Sequence, residues 1–434
     1  MDEDKFIPQS AISIFARLKQ GDENRMSLEK VLSEIETDHK GNKILPFKNL
    51  PVIHFCRWFI VNNAKNNRSE LLPSTLAFTS NFDGNIEKHL YFLSKEIGEG
   101  IDAIYKHCEG YPNKPTIESR FAYLKANRVK EKLFWPGIRG NSVGQILKYN
   151  ELYKEIQDHI DKEKLYTQSA SDCRDNILKF VKNDTQLNWA LNPYSGTNLG
   201  YKIKYWGRLI LSLLIGGIIA LFLVFSLILP IWILIGRFLE VKENKKGDRS
   251  EQREEEYNDL VSLEDHSFQN QLTVYGSIKS PLFHRRLTLE MALWVFRLNG
   301  TYKSNKGLLG GIDSIHFARW VMFNNGRNLA FLSNYDGGWE NYLTEFVNRS
   351  STAMNLTFGS MIGYPKTKWL IGEGARDSLA FKSTARNNQY PTQVWYSAYP
   401  NLSAKDIHNI IRVRKGLAKS KMNEKEVKEW LRRF

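Results

Sequence analysis

The feature that most constrains this chain is that one order of segments occurs in it twice. Ile53-His54-Phe55-Cys56-Arg57-Trp58 returns as Ile315-His316-Phe317-Ala318-Arg319-Trp320, and the run from Leu76 to Gly84 returns as Leu329 to Gly337. Gly110-Tyr111-Pro112 returns as Gly363-Tyr364-Pro365. Asp336 lies 253 positions after Asp83, as Gly363 does after Gly110, whereas His316 lies 262 after His54. The first half therefore carries nine extra residues in one loop, around Asn62 to Pro73. Three motifs kept in register mark an internal duplication.

Each half reads as strand-helix-strand-strand-helix-strand. Ile12 to Leu18 and Leu272 to Ile278 alternate as strands do, and helix-period segments follow from Met26 to Ile35 and from Leu287 to Leu298. The His-Phe-x-Arg-Trp strand then pairs with the Leu-Ala-Phe strand, and an Asp-Gly turn leads into a long helix. Ile86, Leu90, Leu93, Ile97, Ile101 and Ile104 recur at helical spacing, as do Tyr342, Leu343, Phe346 and Met354. The expected fold class is α+β: two repeats, at 8–165 and 269–417. Between them lie a linker (166–208), an apolar segment (209–236) and a charged linker (237–268). A basic, solvated helix follows (418–434).

The apolar segment is a run of 28 residues, Leu209 to Gly236, without one charge. That length reads as a membrane segment. Fully helical it would reach roughly 42 Å against a hydrocarbon core of about 30 Å, so it must tilt or bend, with Pro230 and Gly216-Gly217 as bend points. Basic residues flank both ends, more of them on the carboxyl side, so charge counting alone leaves a single span and a re-entrant anchor open. Halves that pair with each other need one compartment, which places both repeats on the cytoplasmic side. A single span requires like halves to pair between two chains, as a homodimer. The net charge of +14 and pI near 9.4 suit an anionic partner. No nucleic-acid motif accompanies that charge, so the expected partner is a bilayer containing anionic lipids. Three cysteines and no Cys-x-x-Cys make a disulfide framework or structural zinc site unexpected.

The segment order resembles the ferredoxin-like βαββαβ plait, two of which commonly pair as a dimeric α+β barrel. The layout of two His-Phe-x-Arg-Trp and Asn-x-Asp-Gly halves around an apolar insert also resembles a bacterial membrane-associated family. That resemblance implies a fold and no chemistry. The turns Asn81/Asp83/Gly84 and Asn334/Asp336/Gly337 are distantly similar to the Gly-x-x-Asp-Gly of dye-decolourising peroxidases, which would imply haem. Here Ser80 and Ser333 stand where that motif has its first glycine. Plain stereochemistry selects Asp-Gly at a strand-to-helix junction as well.

Alternation puts His316, Ala318, Trp320 and Met322 on one strand face and Phe317, Arg319 and Val321 on the other. His316, Arg319 and Asp336 are the candidate catalytic set. Asn334, Trp320, Arg376, Trp395 and Tyr396 are candidates for a pocket, and His54, Arg57, Asn81 and Asp83 are the first-half counterparts. The bland alternative has His316 donating to a backbone carbonyl, Arg319 tied to an internal carboxylate and Asp336 capping the helix that follows it. His107-Cys108 has no metal-ligand spacing around it. The apolar 287–298 helix beside His284-Arg285-Arg286 fits either a lipid interface or burial against the other half. Two functions follow. One is a non-catalytic module that binds lipid, a small ligand or a partner; the other is a haem oxidoreductase acting on an apolar substrate at the membrane.

Overall fold

The computed structural model describes residues 4–38, 41–62, 72–196, 199–225, 228–243, 260–262, 264–298 and 308–434. The first half runs β1 (Gln9–Arg17), α1 (Asp22–Thr37), β2 (Ile53–Val61), β3 (Thr75–Asp83), α2 (Ile86–Glu96), α3 (Gly98–Tyr105), α4 (Ile117–Ala126) and β4 (Glu131–Pro136). Four helices follow: α5 (Val143–Lys162), α6 (Ala170–Asn183), α7 (Leu199–Phe225) and α8 (Ile228–Lys242). The second half runs β5 (Gln269–Ser277), α9 (Leu282–Leu298), β6 (Ile315–Phe323), β7 (Asn328–Asp336) and α10 (Trp339–Phe358). It continues with a small hairpin, β8 (Thr367–Lys368) and β9 (Gly372–Glu373), then α11 (Ser378–Asn387), β10 (Val394–Ser397), α12 (Ala404–Leu417) and α13 (Glu424–Leu431). The extra loop of the first half lies mostly outside the described residues, as does most of the charged linker.

The class is mixed α+β, on two four-stranded antiparallel sheets ordered β1-β3-β2-β10 and β4-β6-β7-β5. Each sheet takes its last strand from the other half. On its way out, each departing segment first lies along its own sheet. Phe15 N donates to Asn127 O (3.0 Å) and Val129 N to Ser13 O (2.8 Å); likewise Tyr275 N donates to Asn388 O (2.8 Å) and Tyr390 N to Thr273 O (2.9 Å). The two sheets are thereby stitched along both pairs of edges, and the halves interlock.

Strands β2 and β6 are buried at every one of their nine positions. Helices cover one face and the opposite sheet covers the other, which explains their near-continuous apolar sequence. Trp58, Phe78, Leu90 and Ile101 pack on the helix side of the first sheet, and Trp320, Phe331, Leu343 and Phe358 on that of the second. Between the sheets, Phe59, Val61, Val321 and Phe323 fill one end. Phe55, Phe317 and Tyr399 fill the other, under α5 and α12.

Several elements differ from their sequence reading. The helical stretch from Ile86 to Ile104 divides at Ile97 into α2 and α3. Residues 166–208 include α6, whose Cys173, Ile177 and Val181 share a core with Leu417 and Trp430. The carboxyl-terminal helix is consequently not wholly solvated: charge counts overlooked Val427 and Trp430, which lie on one face and are buried.

The uncharged run is divided between α7 and α8, and among the described residues no helix is long and apolar enough to cross a membrane. Pro230 sits in the first turn of α8, where a missing N–H leaves no bond unmade. Gly216 serves close approach: a Cβ there would lie 2.2 Å from the Trp294 ring of α9. Helix α8 packs along α9. His284 Nε2 donates to Trp232 O (3.0 Å) and Trp232 Nε1 to Thr288 Oγ1 (3.0 Å), with the two rings stacked at 4.3 Å. At the opposite end of the insert, Tyr201 of α7 contacts Phe6, with ring centroids 4.4 Å apart.

Candidate functional site

The site residues sit where β2 and β6 meet at the centre of the molecule. Both strands depart from regular pairing at their starts, between Ile53 and Phe55 and between Ile315 and Phe317. A bulge of this kind re-aims the side chains around it. Ile315 thus joins Ala318 and Trp320 in the helix-side core, whereas strict alternation puts it with Phe317. His316 turns toward the end of the space between the sheets. Its ring packs on Phe55 of the other half (5.2 Å), and His54 packs on Phe317 at the same distance.

Each histidine has an aspartate. His54 Nε2 is 2.9 Å from Asp83 Oδ1, and His316 Nε2 is 2.6 Å from Asp336 Oδ1. The second carboxylate oxygen of each aspartate accepts the first backbone N–H of a distant helix: Val143 of α5 for Asp83 (2.9 Å) and Ala404 of α12 for Asp336 (2.8 Å). Sequence reasoning expects Asp-Gly to cap the helix that follows it. Instead the aspartate reaches the helix that follows the exchanged strand, where its charge meets the positive end of the helix dipole. Ser142 and Ser403 open those helices with capping boxes. Tyr399 breaks the two-fold symmetry: its hydroxyl is hydrogen-bonded to His54 Nδ1 (2.8 Å), while His316 Nδ1 has no partner among the described residues. Burial pushes the Tyr399 hydroxyl well above the usual tyrosine range.

Next to this layer lie the two arginines. Arg57 Nη1 donates to Gln271 Oε1, Leu272 O and Thr273 Oγ1, and its Nη2 to Ser333 O and Asn334 Oδ1, all at 2.6–3.0 Å and all in the other half. Arg319 reciprocates with Ile12 O (2.6 Å), Ser13 Oγ (3.4 Å) and Asn81 Oδ1. Burial lowers the Arg57 guanidinium to about 9, and neighbouring Arg319 adds to that effect. Burial lowers Arg319 to about 10, opposed by Glu131. Glu131 accepts from Ser13 (2.9 Å), so the expected internal carboxylate lies near Arg319, while the five acceptors around Arg57 are neutral.

The structure brings together His54, His316, Asp83, Asp336, Arg57, Arg319, Asn81 and Asn334. Trp395 joins them, donating from Nε1 to Asn334 Oδ1 (3.1 Å) and stacking on Phe55. The remaining candidates lie elsewhere. Trp320 packs against Phe331 and Phe358 on the helix side, Tyr396 stacks on Phe47, and Arg376 is exposed in a 3-10 turn. Tyr399, which follows Trp395 and Ser397 at strand spacing, belongs to the histidine layer. His107 is bonded to Asn24 (2.8 Å), and burial pushes the Cys108 thiol up to about 12. Among the described residues no group of three or more histidine, cysteine or acidic side chains could hold a metal ion.

This arrangement does not fit haem. His54 and His316 are 0% exposed, their Nε2 atoms face carboxylates, and phenylalanine rings pack on them. The largest cavity described, about 590 Å³ between Leu133, Trp320 and α10, is not lined by them. The chemistry on offer is cohesive. Each aspartate ties a strand of one sheet to a helix start, and each arginine ties one half to the other. No family model, curated protein or solved structure matches the chain.

Proposed function

We propose that this chain is a non-catalytic lipid-binding module. In this reading two ferredoxin-like halves close into one α+β barrel, and α7 and α8 lie in the interface of an anionic bilayer without crossing it. The observation that carries the reading is the apolar surface of the insert. Ile210, Leu211, Leu214, Ile218 and Leu234 are each more than half exposed, and α9 adds Val295 (54%) and Phe283 (74%) beside them. Surfaces of that kind are rarely left in water, and burying one leucine side chain is worth about 1.5–3 kcal/mol. Trp206 and Trp294 stand in the same region half exposed, as aromatic rings do at membrane interfaces. Lys202, Arg208, Lys242 and Arg297 are exposed on the same helices, which favours anionic lipid.

Interlocking supports the topology. The arginine and strand exchange binds the halves into one body, and both ends of the insert return to it: Tyr201 to Phe6, and Glu243 to Lys279 (2.8 Å) and Arg285. A span with one half on each side of a membrane is incompatible with that exchange. Helix α9 supports the reading with an amphipathic division, Leu289 and Leu293 being buried and Trp294 and Val295 exposed.

The test is flotation of purified protein, after detergent removal, with phosphatidylcholine–phosphatidylglycerol vesicles. The protein is expected to float, less so with phosphatidylcholine alone, and a Leu211→Ser/Leu214→Ser/Ile218→Ser variant is expected to stay behind. Wild-type protein that stays in the dense fraction as a dimer would overturn the reading and assign the apolar face to a second copy.

A further inference from the structure

We infer that the hairpin tip Trp369-Leu370-Ile371 is a second insertion element, which enters an anionic lipid surface beside α8; this rests on the membrane reading above. The tip joins β8 to β9, and its chemistry is wrong for a turn in water. Turns favour glycine, asparagine and aspartate, which tolerate left-handed backbone or bond their own chain. Here Trp369 and Leu370 both lie in the left-handed region, at φ 55° and 65°. Bulky side chains rarely occupy that region, and where they do the surroundings hold them there. Packing within the protein does not explain the choice, since Trp369 is 46% and Ile371 50% exposed.

What holds the tip is the insert. Glu240, near the end of α8, is fully buried, and its carboxylate accepts Trp369 N (2.9 Å), Leu370 N (2.7 Å) and Thr367 Oγ1 (2.7 Å). Two successive N–H groups of a turn converging on one anion is the geometry of a nest. Arg237, one turn earlier on α8, bonds the same carboxylate (3.2 Å) and lies 5.6 Å from the Trp369 ring. From beneath, Asn355 Nδ2 donates to the carbonyls of Ile371, Gly372 and Glu373 (2.9–3.2 Å). The tip is therefore fixed to the same helix whose apolar face the membrane reading places in lipid, and its apolar side chains extend that face.

Charge complementarity selects the lipid. Lys368 and Lys242 are exposed around the tip and the end of α8, and Lys366 bonds Val241 O at that end (3.1 Å) and Glu243 O just past it (3.3 Å). An apolar tip ringed by cations is what an anionic headgroup layer accommodates, rings and aliphatics below and ammonium groups level with phosphate.

The experiment places an environment-sensitive fluorophore on a single introduced cysteine, Ile371→Cys or, as reference, Leu214→Cys on α7. The native Cys56, Cys108 and Cys173 are buried, which favours labelling at the introduced site. Phosphatidylcholine–phosphatidylglycerol vesicles are added, with and without nitroxide-labelled lipid as quencher. Both probes are expected to shift to the blue and to be quenched. In a Glu240→Ala background the 371 probe is expected to lose its response while the 214 probe keeps its own. A response at 214 with none at 371 would overturn this inference and leave the membrane reading standing. No response at either position would remove both.

Discussion

Protonation of one buried histidine makes the first half acid-sensitive by a calculable amount. His89 on α2 is 3% exposed, stacked on Phe82 at 3.6 Å, and burial pushes its pKa from 6.5 down to about 3. The unfolded chain therefore binds a proton between about pH 6.5 and 3 that the folded chain refuses. Stability from this group is complete above 6.5 and falls as the pH drops through that window. At about 1.36 kcal/mol per unit, the loss at pH 5 is about 2 kcal/mol, and at pH 3 about 4 kcal/mol. His107, His284 and the half-buried His408 are lowered in the same direction, and carboxylates protonate too, so the comparison must be with a variant. His89→Phe keeps a ring on Phe82 and has no proton to bind. Urea unfolding followed by circular dichroism, between about pH 7.5 and 5, is expected to show the variant gaining about 2 kcal/mol on the wild type. Parallel stability curves would refute the reasoning, because they would mean that the folded state accepts the proton.

Two further outcomes test the interlock. Arg57→Lys replaces a guanidinium serving five acceptors with one ammonium, and is expected to lower unfolding stability by about 2–4 kcal/mol. Arg319→Lys, with three acceptors, should cost about 1–2 kcal/mol, and equal losses would contradict the asymmetry. Asp4→Ala strands the fully buried Arg414, which otherwise holds Asp4 together with Tyr149 (2.7 Å), and a loss of about 3–5 kcal/mol is expected. A loss below about 1 kcal/mol in thermal or urea unfolding would mean that the carbonyls of Ala190 and Asn192 suffice for that guanidinium.

Repetition and alternation made the strands and the first helices readable from the sequence, whereas the pairing of His316 with Asp336 replaces the backbone carbonyl expected for that histidine. What they left out has physical causes. Alternation reports which face a residue occupies but not which strand lies beside it, so the exchange of β4 and β10 left no trace in hydropathy. The exchange is nonetheless favoured by duplication itself: Arg57 and Arg319 present matching requirements, and each half offers the other a Ser13- or Thr273-type acceptor beside an Asn81- or Asn334-type one. The bulges at Ile315 and Ile53 escaped for a similar reason, since one extra residue changes direction without changing composition. Glu240 was invisible because a lone acid past an apolar run looks like the end of a membrane segment. These omissions bear on topology more than the charge count does. Lysines and arginines on both flanks could not decide between a span and an anchor, whereas a fourth strand lent in each direction ties the two halves into one body. A chain that closes this way has its apolar insert returning to the body it left, and the residues at the return, Glu240 and Glu243, are the ones that hold α8 against the second half.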